Sequence, residues 1–230
     1  MRSLPAVLIV VCLVSVATPA PVLAQSAVAF TFGGFVPTGE DARVDGDVLI
    51  ANREILDFDI TDFNGGSVGI EWLLPMGDFV ELGAGAAFTS RRVPTVYNSF
   101  VNRDGSEIEQ DLRLRVVPVT LTARLLPFGR NRAVQPYLGG GVAFLRYRYS
   151  EVGDFVDFTD RSVFTDRFVA TGTETGAVAL AGLRVPVGDT WSLGGEVRYQ
   201  KAEADLSEDF LGPKLDLGGV HYLFTVHVSF

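Results

Sequence analysis

LGGVHYLFTVHVSF (residues 217–230) alternates with period two. Tyr222, Phe224, Val226, Val228 and Phe230 fall on one side, and His221, Leu223, Thr225, His227 and Ser229 on the other. Such alternation marks a β-strand whose two faces meet different surroundings. The aromatic row runs to the last residue, Phe230, where most soluble domains end in a few loosely held polar residues. A strand of this kind needs partners.

Seven more stretches share its pattern: AVAFTFGGFVP (27–37), GGSVGIEWLLP (65–75), FVELGAGAAFTSRR (79–92), DLRLRVVPVTLTARLL (111–126), QPYLGGGVAFLRYRY (135–149), TETGAVALAGLRVPV (173–187) and WSLGGEVRYQKA (191–202). They lie near the ~9–11 residues that a tilted membrane strand needs, and their Gly content would weaken a helix. The connections alternate in length. Long polar ones (38–64, 93–110, 150–172, 203–216) take turns with short ones, PMGD (75–78), PFGRNRAVQ (127–135) and VGDT (187–190). Long loops on one rim and tight turns on the other are how bacterial outer-membrane barrels are built. A secreted β-sandwich has no reason to sort its loops this way. The expected fold is all-β, an eight-stranded antiparallel transmembrane β-barrel over residues 25–230.

Bulk properties agree. The 230 residues are 47% hydrophobic and 20% charged, with a formal net charge of -9; an acidic chain does not suit nucleic acid, which needs a basic stripe. Residues 1–24 read as a cleaved signal peptide: Arg2, then the apolar LPAVLIVVCLVSV, then small residues up to Ala24. A membrane anchor is the alternative, but Pro19 and Pro21 break the run and no basic stop follows. Cleavage removes Arg2 and no acid, so -9 becomes -10, and it removes Cys12, the one cysteine. The longest uncharged stretches of the mature chain, 25–39 and 217–230, are too short for a helix of about 20 apolar residues. A closed barrel is the other structure that satisfies every backbone group in lipid.

Strand phase predicts what faces where. Trp191, Leu193, Val197 and Tyr199 oppose Ser192, Glu196, Arg198 and Gln200, and Val68, Ile70, Trp72 and Leu74 oppose Ser67, Gly69 and Glu71. The row holding charges and glycines suits a narrow polar lumen, with the apolar row in lipid. The expected lumen ion-pair network is Glu71, Glu81, Arg124, Arg184, Glu196 and Arg198, with Arg146 and Arg148 also expected inside. Its expected role is to fill the barrel rather than gate it. Aromatics are expected in two interfacial girdles, Trp72, Phe79, Phe128, Tyr137, Trp191 and Phe230 near the short turns and Tyr147, Tyr149 and Tyr199 near the long loops.

These segments, the signal ending VLA-Q, QPYLGGGVAF, VPVTLTARLL and the closing HYLFTVHVSF together resemble the small outer-membrane barrels of the OmpA/OmpX/OmpW kind over essentially all of residues 25–230. No single motif is sharp, and the resemblance selects no subfamily. It implies that Tyr222, Phe224, Val226, Val228 and Phe230 form the terminal signal read by the barrel-assembly machinery. It also implies a monomer in a Gram-negative outer membrane, with outer-membrane lipid and lipopolysaccharide as partners. Arg113 and Arg115 share a phase with Val117 and Val119 and are expected near lipopolysaccharide phosphates at the outer rim.

No cofactor, metal site or catalytic residue is assigned. One barrel family of this size deacylates lipid A with a His/Ser pair, and His227 and Ser229 have that spacing, but at the periplasmic end with no partner carboxylate. GAGAAF (83–88) and LGGGVAF (138–144) read as strands, not phosphate loops. The acidic 38–64 loop is expected as a solvated face, and 150–172 as an extension of the fifth and sixth strands. The functions left standing are a non-enzymatic barrel for envelope integrity and surface interaction, a narrow channel for small or hydrophobic solutes, and a lipid A-modifying enzyme.

Overall fold

The computed structural model describes residues 26–230, so the expected signal segment and its cleavage after Ala24 lie outside the described residues. The period-two segments all become strands. They are β1 (Ala27–Pro37), β2 (Gly65–Pro75), β3 (Val80–Val101), β4 (Glu107–Leu125), β5 (Gln135–Val156), β6 (Val163–Val187) and β7 (Trp191–Lys201), then the short β8 (Glu203–Asp205) and β9 (Lys214–Asp216), and β10 (Gly219–Ser229). Eight of them close an antiparallel barrel in the ring order β1-β10-β7-β6-β5-β4-β3-β2, while β8 and β9 form a separate hairpin. The stretch 219–229 is the closing strand, paired with β1 from Ala27↔Ser229 to Pro37↔Gly219.

The wall has two heights. β1, β2, β7 and β10 have 11 residues each, but β3, β4, β5 and β6 have 22, 19, 22 and 25. The loop expected at 93–110 is therefore largely strand, and 150–172 extends β5 and β6 as expected. Their alternating pattern simply continues past the membrane.

The acidic 38–64 segment is not only a solvated face. Val48–Arg53 forms a helix, α1. Asp47 caps it by accepting hydrogen bonds from the Leu49 and Ile50 amides at 3.0 and 3.4 Å. Val48, Leu49, Leu56, Ile60 and Phe63 are buried beneath the segment's charges. Arg43 clamps Asp47 at 2.8 Å, and the Asp216 amide donates to the same carboxylate at 2.6 Å, which ties the segment to β9. The acids face out and the apolar residues between them plug the upper mouth.

The interior consequently inverts its polarity partway up. In the lower half of β4, Arg124, Thr122 and Thr120 point inward while Leu125, Leu121 and Val119 are exposed. Higher up the same strand, Val116, Leu114 and Leu112 point inward and Arg113 is exposed. β5 repeats the pattern, with Leu145, Tyr147 and Tyr149 buried against the cap and Arg146 and Arg148 exposed. Arg146 and Arg148 are thus outside, a correction that follows from the rise of an apolar core above the membrane. Tyr137, Tyr147 and Tyr149 leave the girdle for the interior for the same reason of phase, whereas Trp72, Phe79, Phe128, Trp191, Tyr199 and Phe230 remain exposed.

If Leu49 closes the upper core, Leu49→Ala should loosen the cap by about 2–5 kcal/mol. Limited proteolysis should then cut within 38–64 faster than in wild type, while the heat-induced gel shift of the barrel stays in place. Unchanged cutting would disprove the packing role.

Candidate functional site: the charged interior

Three strands deliver charge to one point of the lower lumen. Arg124 from β4 places Nη2 between Glu71 of β2 and Glu196 of β7, 2.9 Å from the latter. Arg198, two residues along β7 from Glu196, reaches Glu71 at 2.8 Å through Nη2 and Glu196 at 2.8 Å through Nε. Thr122 donates to Glu71 at 3.0 Å and the Tyr137 hydroxyl to Glu196 at 3.0 Å. The Tyr137 ring lies under the Arg124 guanidinium at 4.9 Å, a cation–π contact. Two carboxylates and two guanidiniums cancel, which a low-dielectric interior demands of buried charge.

Backbone geometry makes room for this. A Cβ at Gly83 would collide with the Glu71 carboxylate and Thr122 hydroxyl, and one at Gly182 would strike the Tyr137 ring. The glycines of GAGAAF therefore open space for the ion pairs.

A second cluster sits nearer the short turns. Arg184 donates to Glu81 at 2.9 Å and to the Gln135 side-chain oxygen at 2.9 Å, and Arg130 lies 3.5 Å from Glu81. All six residues expected in the lumen network point inward, divided between these two clusters. Tyr137, Gln135, Thr122 and Arg130 were missed. Tyr137 shares its phase with Gly139 and Gly141, the small-residue face, and that was the available signal.

At mid-height His221 sits between Ser67 and Gln200, at 3.1 and 3.2 Å, with its ring against Phe35. The cavity between Thr31, Glu71, Thr120, Arg198, Gln200 and His221 measures about 10 Å³, at most the room of one water. Near the turns, His227 hydrogen-bonds Thr225 at 3.0 Å, not Ser229.

Above the membrane, the cap carries a second buried polar node besides Arg43 and Asp47. Asn52 of α1 donates to Glu151 at 2.6 Å and to the Tyr149 hydroxyl at 3.1 Å, and that hydroxyl donates to Glu151 at 2.8 Å. Burial pushes the Glu151 carboxyl above its ordinary range, while the two hydrogen bonds partly offset this.

No protein-family model and no curated protein matches the chain. Among solved structures, the outer membrane protein OprG of Pseudomonas aeruginosa is similar at 15% identity, over 90% of this chain and 96% of that one, with a TM-score of 0.54. Neisserial surface protein A aligns at 13% identity over 90% and 97%, with a TM-score of 0.49. Outer Membrane Protein W of E. coli aligns at 16% identity over 90% and 98%, with a TM-score of 0.43. The fold is that of the small eight-stranded outer-membrane barrels.

Arg124→Ala should leave two carboxylates to Arg198 alone and destabilise the barrel by about 3–5 kcal/mol, read as a lower temperature for the gel shift; an unmoved transition would count against the network. The Glu151 proton gives a pH dependence. Because its folded pKa is raised, the stabilisation is complete below the ordinary carboxylate range and is lost as pH rises through the folded value. Amide protection in 48–56, corrected for intrinsic exchange, should therefore fall as pH rises above the ordinary carboxylate range, and Glu151→Gln should flatten that fall. An equally steep change in the variant would assign it to other groups.

Proposed function

We propose that the protein is a closed, non-enzymatic outer-membrane barrel of a Gram-negative envelope. It acts as a monomer, contributes to envelope integrity, and meets the exterior through its tall hairpins and its cap. The observation that carries this reading is the filling of the interior. Ion pairs occupy the lower half, the cavity at mid-height takes no more than one water, and α1 with the β8–β9 hairpin covers an apolar upper core. Eight strands leave an interior just wide enough for side chains, and here side chains use it. The pairing of His227 with Thr225 argues against a His/Ser hydrolase site in β10.

The same reading gives β10 a role in biogenesis. Its outward row, Tyr222, Phe224, Val226, Val228 and Phe230, is the segment offered to the barrel-assembly machinery, with Phe230 also anchoring the strand at the interface. The support is the exposure of Tyr222, Phe224 and Phe230.

Refolded protein in planar bilayers should give no unitary current steps at any voltage tested. Steps of constant size would replace this reading with the narrow solute channel. Labelled lipid A should be recovered unaltered after incubation. Deletion of Phe230 should lower the amount reaching the outer membrane without altering the fold of what arrives; wild-type levels would remove the assembly role.

A further inference from the structure

Five arginines point outward where the apolar belt ends, all on three adjacent strands. Arg92 is on β3, Arg113 and Arg115 on β4, and Arg146 and Arg148 on β5. The register sets Arg92 opposite Arg113 and Arg115 opposite Arg148, while Arg146 faces Val117 two residues further down. With strands about 4.8 Å apart and a rise of about 3.3 Å per residue, the five occupy a patch of about 10 by 13 Å.

Like charges directly opposite on one face destabilise a strand pair. Two such pairs stand side by side here in a chain of net charge -9. Within the patch only Arg92 is answered by a carboxylate, that of Asp111, which takes both its Nε and Nη2. The guanidiniums of Arg113, Arg146 and Arg148 make no ion pair or hydrogen bond among the described residues. Arg115 packs its guanidinium 5.8 Å from the Phe88 ring, and its buried Nε has no partner. Guanidinium forks match phosphate oxygens in pairs, which lysines do not.

A second feature lies beneath. On the lipid-facing wall of these strands and the adjoining β2, Trp72, Leu82, Leu121 and Val142 border a groove floored by Gly140 and Gly141, of about 520 Å³ and almost wholly apolar. Val142 is four residues below Arg146 on β5. Cationic forks above an acyl-sized groove fit one kind of ligand.

We infer that this face of β3–β5 binds a membrane lipid with two phosphates on its headgroup, the phosphates bridging the arginines and an acyl chain lying in the groove. Bridging phosphates turn the opposed Arg pairs from repulsive to attractive. The inference rests on the proposed outer-membrane reading, since it needs the tall hairpins to stand outside the outer leaflet.

The test is native mass spectrometry of the refolded protein in maltoside micelles. The probes are bisphosphorylated lipid A, lipid A stripped of its phosphates, phosphatidylcholine and inorganic phosphate. Retention of the bisphosphorylated lipid should exceed that of the stripped one by about tenfold or more, the equivalent of ~1.4 kcal/mol. It should be lost in Arg113→Ser/Arg115→Ser/Arg148→Ser and kept in Arg103→Ser/Arg161→Ser at the hairpin tips. Equal retention by wild type and the triple variant, or of the two lipids, overturns the site. Retention of inorganic phosphate without the lipid overturns the lipid as ligand. Should the triple variant fail to fold, Arg113→Ser/Arg115→Ser and Arg146→Ser/Arg148→Ser are each expected to lose part of the binding, and full binding by both overturns the proposal. Failure of the outer-membrane reading would appear separately, as wild-type protein that neither shifts on heating nor inserts into vesicles.

Discussion

Arg124, held between Glu71 and Glu196, is the contact on which the lower barrel depends. A charge at the centre of a lipid-surrounded cylinder has no water to turn to, so its partners must come from the wall itself. Here they come from β2 and β7, which do not adjoin β4 in the ring. Cross-lumen pairing of this kind sets how far apart the walls stand. Gly83 then has to lack a side chain, and Tyr137 has to lie flat beneath the guanidinium. Thr122 and Arg198 complete the neutral set. The absence of a wide lumen follows from this arrangement as much as from strand number.

The upper half answers a different solvent. Above the membrane the outer wall meets water, so the apolar row must turn inward, and β4 makes the exchange without a shift of register. β4 changes from Arg124-in and Leu121-out to Leu114-in and Arg113-out. The inner row then needs a lid. The 38–64 segment supplies one because Asp47 starts a helix whose inner face is Val48 and Leu49. Asn52 locks that helix to the wall through Glu151 and Tyr149.

Much of this was legible in the sequence, and the part that was not has a common cause. Period-two runs and sorted loop lengths specify eight strands and closure, since both follow from local pattern. Glu71, Arg124 and Glu196 could be placed inside because, within the bilayer, charge marks the inner face. That rule was carried too far up β5. Arg146 and Arg148 stand above the lipid, where charge marks the outer face, and nothing in the alternation itself announces the change of solvent. The lid was illegible for another reason. Its acids dominate the composition of 38–64, and the buried Leu49, Leu56, Ile60 and Phe63 make sense only against β-strands distant in sequence.

The inversion also means that the two storeys rest on different driving forces, which nevertheless move with temperature in the same direction. The upper core is held by the removal of apolar surface from water, a driving force that fades on cooling. The lower storey is held by desolvated ion pairs, whose hydration penalty shrinks as temperature rises. Cold therefore weakens the lid and the charged lumen alike, and moderate warming favours both. A barrel built this way has no storey that compensates for the other in the cold.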